Sequence, residues 1–152
     1  MNAKRLALYA SLALAGQGAM AQQATILAPL AGKCAELFHA GVSQLDNGGL
    51  REAEITLGAA LAGATGGEER ECAGLALGKL ALVANLSGRP AEAETLAERA
   101  LRILENIYPQ DDLVLLRPLQ QLTLARFGQG KTTKALQALQ RLKSIRAESE
   151  AP

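Results

Sequence analysis

Apolar residues recur at helical spacing along most of this chain, and glycine-containing turns interrupt them at nearly constant intervals. From about residue 29 to Asp46, the residues Leu30, Cys34, Leu37, Phe38, Gly41, Val42 and Leu45 fall on one helix face. Asn47-Gly48-Gly49 stops that helix. A second helix over residues 50–64 carries Ala53, Leu57, Ala60 and Leu61 on its stripe. The same unit then returns twice. Its turn glycines are Gly48, Gly88 and Gly130, and the early alanine of each second helix is Ala53, Ala93 and Ala135. Both sets step by 40 and then 42 residues. Helical pattern repeated at that period predicts stacked helical hairpins, because one hairpin cannot bury its own apolar stripe. An ordinary antiparallel bundle shares the 3.6-residue stripes but needs no fixed long period.

The hairpins fall at about residues 34–67, 68–110 and 111–148, within a repeat domain over 33–148. In the second, Ser87-Gly88-Arg89-Pro90 is the turn, with Pro90 at the first helical position, where a missing N–H costs nothing. The helix over 91–107 has Glu92, Glu94 and Glu98 ahead of Arg99 and Arg102, which suits the helix dipole. Pro109-Gln110-Asp111-Asp112 closes it and caps the next helix. Pro118 predicts either a bend or a helix start with residues 113–116 as a preceding turn. Residues 149–152 are expected to fray.

The first 21 residues read differently. Lys4 and Arg5 precede an apolar run over residues 6–15, and Ala19-Met20-Ala21 is a small-x-small end. That layout is a secretory signal peptide cut before Gln22, with residues 22–32 a linker containing Pro29. Its apolar run is too short for a comfortable membrane span. Cleavage leaves 131 of the 152 residues, enough for one domain. Of 16 basic residues Lys4 and Arg5 are lost, leaving 14 against 15 acidic. Such a balance carries no nucleic-acid footprint, and no other run has membrane-spanning length. Tryptophan is absent and aromatics are 3%, with Ala and Leu dominant, so close-packed helices are favoured over strands.

These residues carry a family resemblance. Leu37, Ala40, Gly41, Leu45, Gly48, Leu50, Ala53, Leu57 and Ala60 resemble one tetratricopeptide repeat. Leu77, Leu80, Ala81, Gly88, Pro90, Ala93, Ala97, Ala100 and Leu101 resemble the next, and Leu119, Leu122, Thr123, Phe127, Gly130, Thr132, Ala135, Leu139 and Leu142 a third. The spacing is similar to the longer kinesin-light-chain style of this repeat. Thr123 and Leu142 depart from the small residues expected there, which suits a terminal repeat. The resemblance implies an all-α, right-handed superhelical stack of about three hairpins, an α-solenoid, with a concave groove lined by the first helix of each pair.

Other candidate chemistry is thin. Residues 125–133, Ala-Arg-Phe-Gly-Gln-Gly-Lys-Thr-Thr, resemble a Walker A loop with alanine for the leading glycine. A phosphate loop needs a preceding strand, whereas Leu119, Leu122 and Phe127 have helical spacing and Gly130 is in phase with the turn glycines. Cys34 and Cys72 are the only cysteines, and export places them in an oxidising compartment. They lie near the starts of adjacent first helices. Packed axes are about 8–10 Å apart and a bridge wants Cα atoms within about 7 Å, so either the helix ends converge on a disulfide or these are two small core residues. His39, the only histidine, has no companion ligands at metal spacing. No nucleophile, base and orienting group assemble, so no enzyme, metal or cofactor is expected.

Carrying the repeat geometry over, the resemblance puts Phe38, Val42 and Leu45 on the groove wall, then Leu75, Lys79, Leu82 and Leu86, then Arg117, Gln120, Leu124 and Phe127. Tetratricopeptide adaptors that clamp a carboxylate use Lys, Asn and Arg there; only Lys79 and Arg117 could serve here. The expected occupant is an amphipathic helix or apolar segment of another protein. The expected function is an exported, periplasmic or secreted, non-catalytic adaptor without nucleic-acid or membrane contact after cleavage. The alternative is an assembly subunit, a homo-oligomer joined through its repeat edges.

Overall fold

The computed structural model describes residues 32–150. The expected signal peptide (1–21), residues 22–31 of the expected linker and residues 151–152 lie outside the described residues. Those described form α1 (Lys33–Asp46), α2 (Leu50–Gly63), α3 (Arg70–Leu86), α4 (Pro90–Glu105), α5 (Leu116–Gly128) and α6 (Thr132–Glu150), with 3-10 turns at Gly67–Glu69 and Leu113–Leu115. Among the described residues there is no strand. Each helix packs on the next, and the first helices also touch in series, α1 on α3 and α3 on α5. The first hairpin makes no substantial packing with the third among the described residues. The molecule is therefore an open α-solenoid and not a closed bundle.

The three inter-helix turns are built alike. Gly48, Gly88 and Gly130 take φ of 81°, 72° and 72°, a left-handed conformation that costs a glycine little. Each donates to the carbonyl three residues back, and the following residue donates five back: Gly49 to Gln44, Arg89 to Ala84 and Lys131 to Arg126. This paired bonding satisfies carbonyls that a helix end otherwise leaves open. The shared turn geometry is what the glycine period encodes.

Inside each hairpin the helices approach closely over small residues. Ala53, Ala93 and Ala135 are wholly buried. A Cβ at Gly41 would lie 2.6 Å from Leu57 Cγ. Thr123, at the corresponding place in the third hairpin, is buried, and its hydroxyl donates to the Leu119 carbonyl at 2.8 Å. The core divides around α3. Cys34, Phe38, Val42, Leu57, Cys72, Leu80 and Val83 cluster on one side, and Ala81, Leu101, Leu104, Leu119, Leu122, Leu142 and Ile145 on the other. Lying in the middle of the stack, α3 must be apolar on most faces. A disulfide joins Cys34 to Cys72 with Cα atoms 6.3 Å apart, so the starts of α1 and α3 converge.

Pro118 is the third residue of α5, where its missing N–H leaves no helical bond unmade. The helix starts two residues before it, after the 3-10 turn, and Asp112 Oδ1 accepts from the Val114 N–H at 3.0 Å. At the other end α6 continues past the expected limit of 148 and includes Ser149. No breaker intervenes, and the Ser149 hydroxyl donates to the Arg146 carbonyl at 2.7 Å.

Charged side chains fix the hairpins relative to one another. Arg89 pairs with Glu54 at 2.9 Å, and Lys131 pairs with Glu94, one repeat further on. The Glu54 pair is largely exposed, so solvent screens it. Glu94 is buried and also accepts from Arg126 Nε at 3.0 Å and Gln129 Nε2 at 2.8 Å. Burial pushes its carboxyl up, but the hydrogen bonds from Lys131, Gln129 and Arg126 outweigh that and bring it down to about 2 from 4.5.

Gly41→Ala is expected to destabilise by about 1–3 kcal/mol in urea unfolding. Gly78→Ala, where a Cβ meets nothing within 4 Å, should instead stabilise slightly. Glu94 has a folded-state value below its unfolded one. Its contribution is therefore complete above about 4.5 and fades as pH falls through about 2. Glu94→Gln should thus destabilise at neutral pH by on the order of 3 kcal/mol at most. Its deficit in unfolding free energy should shrink below pH 4.5; a deficit independent of pH would remove Glu94 from that role.

Candidate functional site

The inner row of first helices opens into a cavity of about 420 Å³. α3 supplies one wall through Leu75, Lys79 and Leu82, Phe38 reaches it from α1, and the opposite wall is Leu113, Val114, Leu116, Arg117 and Pro118. Leu104 and Tyr108 close it from the α4 side. Two glycines on α3 shape it in different ways. A Cβ at Gly74 would sit 2.8 Å from Leu104, so Gly74 lets α4 come close beneath α3. Gly78 leaves room above, because nothing approaches its Cβ position.

Of the residues expected on the groove wall, Phe38, Leu75, Lys79, Leu82 and Arg117 line this cavity. Val42 and Leu45 do not; both pack into the core around the first hairpin. Among the described residues α1 packs on α2 and α3 alone, and these two residues are spent there. Gln120, Leu86, Leu124 and Phe127 lie outside the cavity lining; the three apolar ones are 60%, 50% and 42% exposed. Sequence reasoning missed Gly74, Gly78, Tyr108 and the wall over 113–116. The available signal was two glycines inside an otherwise apolar helix with no turn to explain them.

Charge in the cavity is unevenly satisfied. Glu71 accepts from the Tyr108 hydroxyl, Asp112 from the Val114 N–H, and the Gln121 side-chain oxygen from Asn85 Nδ2 at 3.0 Å. Neither Lys79 nor Arg117 has an ion-pair partner among the described residues. Burial holds the Lys79 ammonium below its usual value, Arg117 adds to that, and Asp46 works the other way.

The Walker-like stretch is structural. Residues 125–128 end α5, the turn follows, and Thr132 opens α6, with no strand before it. Its Arg126, Gln129 and Lys131 are engaged on Glu94. Among the described residues no group of three His, Cys, Asp or Glu is placed to hold a metal, and no helix is long and apolar enough to cross a membrane.

An open stack of antiparallel helical hairpins with an inner apolar groove defines a helical repeat protein. A family model described as tetratricopeptide repeat matches residues 73–148, half of the chain, and the protein belongs to that family. Such repeats generally mediate protein–protein interaction and are typically non-catalytic. No curated protein matches the chain. The match spans the second and third hairpins, and the first has the same turn and the same buried alanine outside the matched range.

Proposed function

We propose that this protein is an exported, non-catalytic adaptor that holds an amphipathic helix or apolar segment of another protein in its inner groove. The observation that carries this reading is the cavity over α3, where Gly78 leaves an apolar trough on a helical wall. The 40 and 42 residue steps support the kinesin-light-chain style of repeat. The near-neutral charge supports a protein partner over a nucleic acid. A second reading, self-association through the terminal hairpin, is favoured by Leu136. It occupies the register position of Glu54 and Glu94 in the last described hairpin, and it is 52% exposed.

Export to the periplasm or beyond the cell rests on the leader pattern in residues 1–21. An oxidising compartment also suits the Cys34–Cys72 bridge, whose 38-residue separation gives stabilisation of about 4 kcal/mol on the chain-entropy account. Intact mass of the exported protein should correspond to a chain starting at Gln22 and lacking two thiol hydrogens. A chain starting at Met1, or two titratable thiols under denaturant, would overturn export or the bridge respectively.

For the groove, a photo-crosslinking residue at position 82 should capture a distinct partner protein that one at Ile55, 69% exposed on α2, does not. Leu82→Glu and Gly78→Leu, the latter filling the trough, should abolish an interaction identified this way while helicity is retained. Equal capture from both positions would sink the groove reading, and adducts with a second copy from position 136 would favour self-association.

A further inference from the structure

The cavity holds an imbalance that an apolar segment does not answer. Every other polar side chain lining it already has a partner within the fold: Tyr108 with Glu71, Asp112 with the Val114 N–H, and Gln121 with Asn85. Among the described residues Lys79 and Arg117 have no ion-pair partners, in a wall that is otherwise mainly Leu, Val, Pro and Phe. Lys79 is partly buried, so its ammonium loses solvent that an anion would replace, while Arg117 stands exposed at the cavity mouth. The surrounding backbone is almost entirely helical, so the cavity offers few N–H or C=O groups to an extended peptide, whose own would be left unmade. An alkyl chain makes no such demand. A volume of about 420 Å³ lies within the range of small-molecule sites, about 300–1,000 Å³.

We propose that this cavity binds a medium-chain fatty acid, with its carboxylate between Lys79 and Arg117 and its tail against Leu75, Leu113 and Val114. A bare inorganic anion would gain nothing from the apolar wall, and an uncharged alcohol would leave both cations unanswered. The lowered Lys79 ammonium is consistent with this, since burial and Arg117 together make its charged form hungry for a counter-ion. Asp46 supplies only a partial counter-charge, and Glu71 and Asp112 are already engaged. The proposal is independent of the adaptor reading: a fatty acid would share the groove with a protein segment and compete with it.

Calorimetric titration of the exported, disulfide-intact protein with decanoate, kept below its micelle concentration, tests this. Decanoate should bind saturably and at least about tenfold more tightly than decanol. Lys79→Met and Arg117→Met should each remove most of that preference while decanol binding stays the same, and Gly78→Leu should abolish both. No saturable decanoate binding, or equal affinity for decanoate and decanol, would overturn the proposal in the parent protein alone, whatever the variants do. So would a decanoate preference that survives in both methionine variants. Partner crosslinking from position 82 without added fatty acid separates a failure here from a failure of the adaptor reading.

Discussion

The whole stack depends on how near two helices can come inside one hairpin. At Gly41 the approach to Leu57 leaves no room for even a methyl group, and Ala53, Ala93 and Ala135 are buried without remainder. Helices that close form a thin slab whose apolar residues face outward on both sides. Such a slab is stable only between others, which is why α3, in the middle, buries residues toward two separate core clusters. The open stack follows from this local constraint.

Stacking alone leaves the hairpins free to slide, and a repeated ion pair limits that. Glu54 with Arg89 and Glu94 with Lys131 occupy corresponding places in successive repeats. The second pair is the stronger, since Glu94 is buried and also takes bonds from Arg126 and Gln129. Arg126, Gln129 and Lys131 all lie in the stretch that resembles a phosphate loop, where Gly130, Lys131 and Thr132 carry the likeness. The side chains of the first three hold one repeat to another, and Gly130 turns the chain.

The groove arises where regular stacking is relaxed. Pro118 and the 3-10 turn at Leu113–Leu115 form the wall facing α3, and Gly78 leaves the gap open where bulk would fill it. Lys79 is held there partly buried and, among the described residues, without an ion-pair partner, which disfavours its charged form. A repeat scaffold can tolerate such a place because each slab is held mainly by its immediate neighbours.

The periodic features were legible in the sequence because each rests on local chemistry. The turn glycines need a left-handed conformation, the alanines need little volume, and the apolar stripes follow the helix repeat; all three can be read from spacing. Half of the expected groove was not legible in that way. Val42 and Leu45 share a helix with Phe38 and look equivalent in a pattern, yet both pack into the core with α2 and α3, the described neighbours of α1. Likewise Tyr108 and Val114 became cavity walls only once α4 and the 3-10 turn were brought beside α3. The sequence by itself determined the repeat, its turns and its close-packed crossings, since these are set within a few residues of chain. The tertiary structure alone decided which apolar residues face the groove, which cations lack partners and how near Cys34 comes to Cys72, since those depend on distances between helices that no single stretch of chain contains.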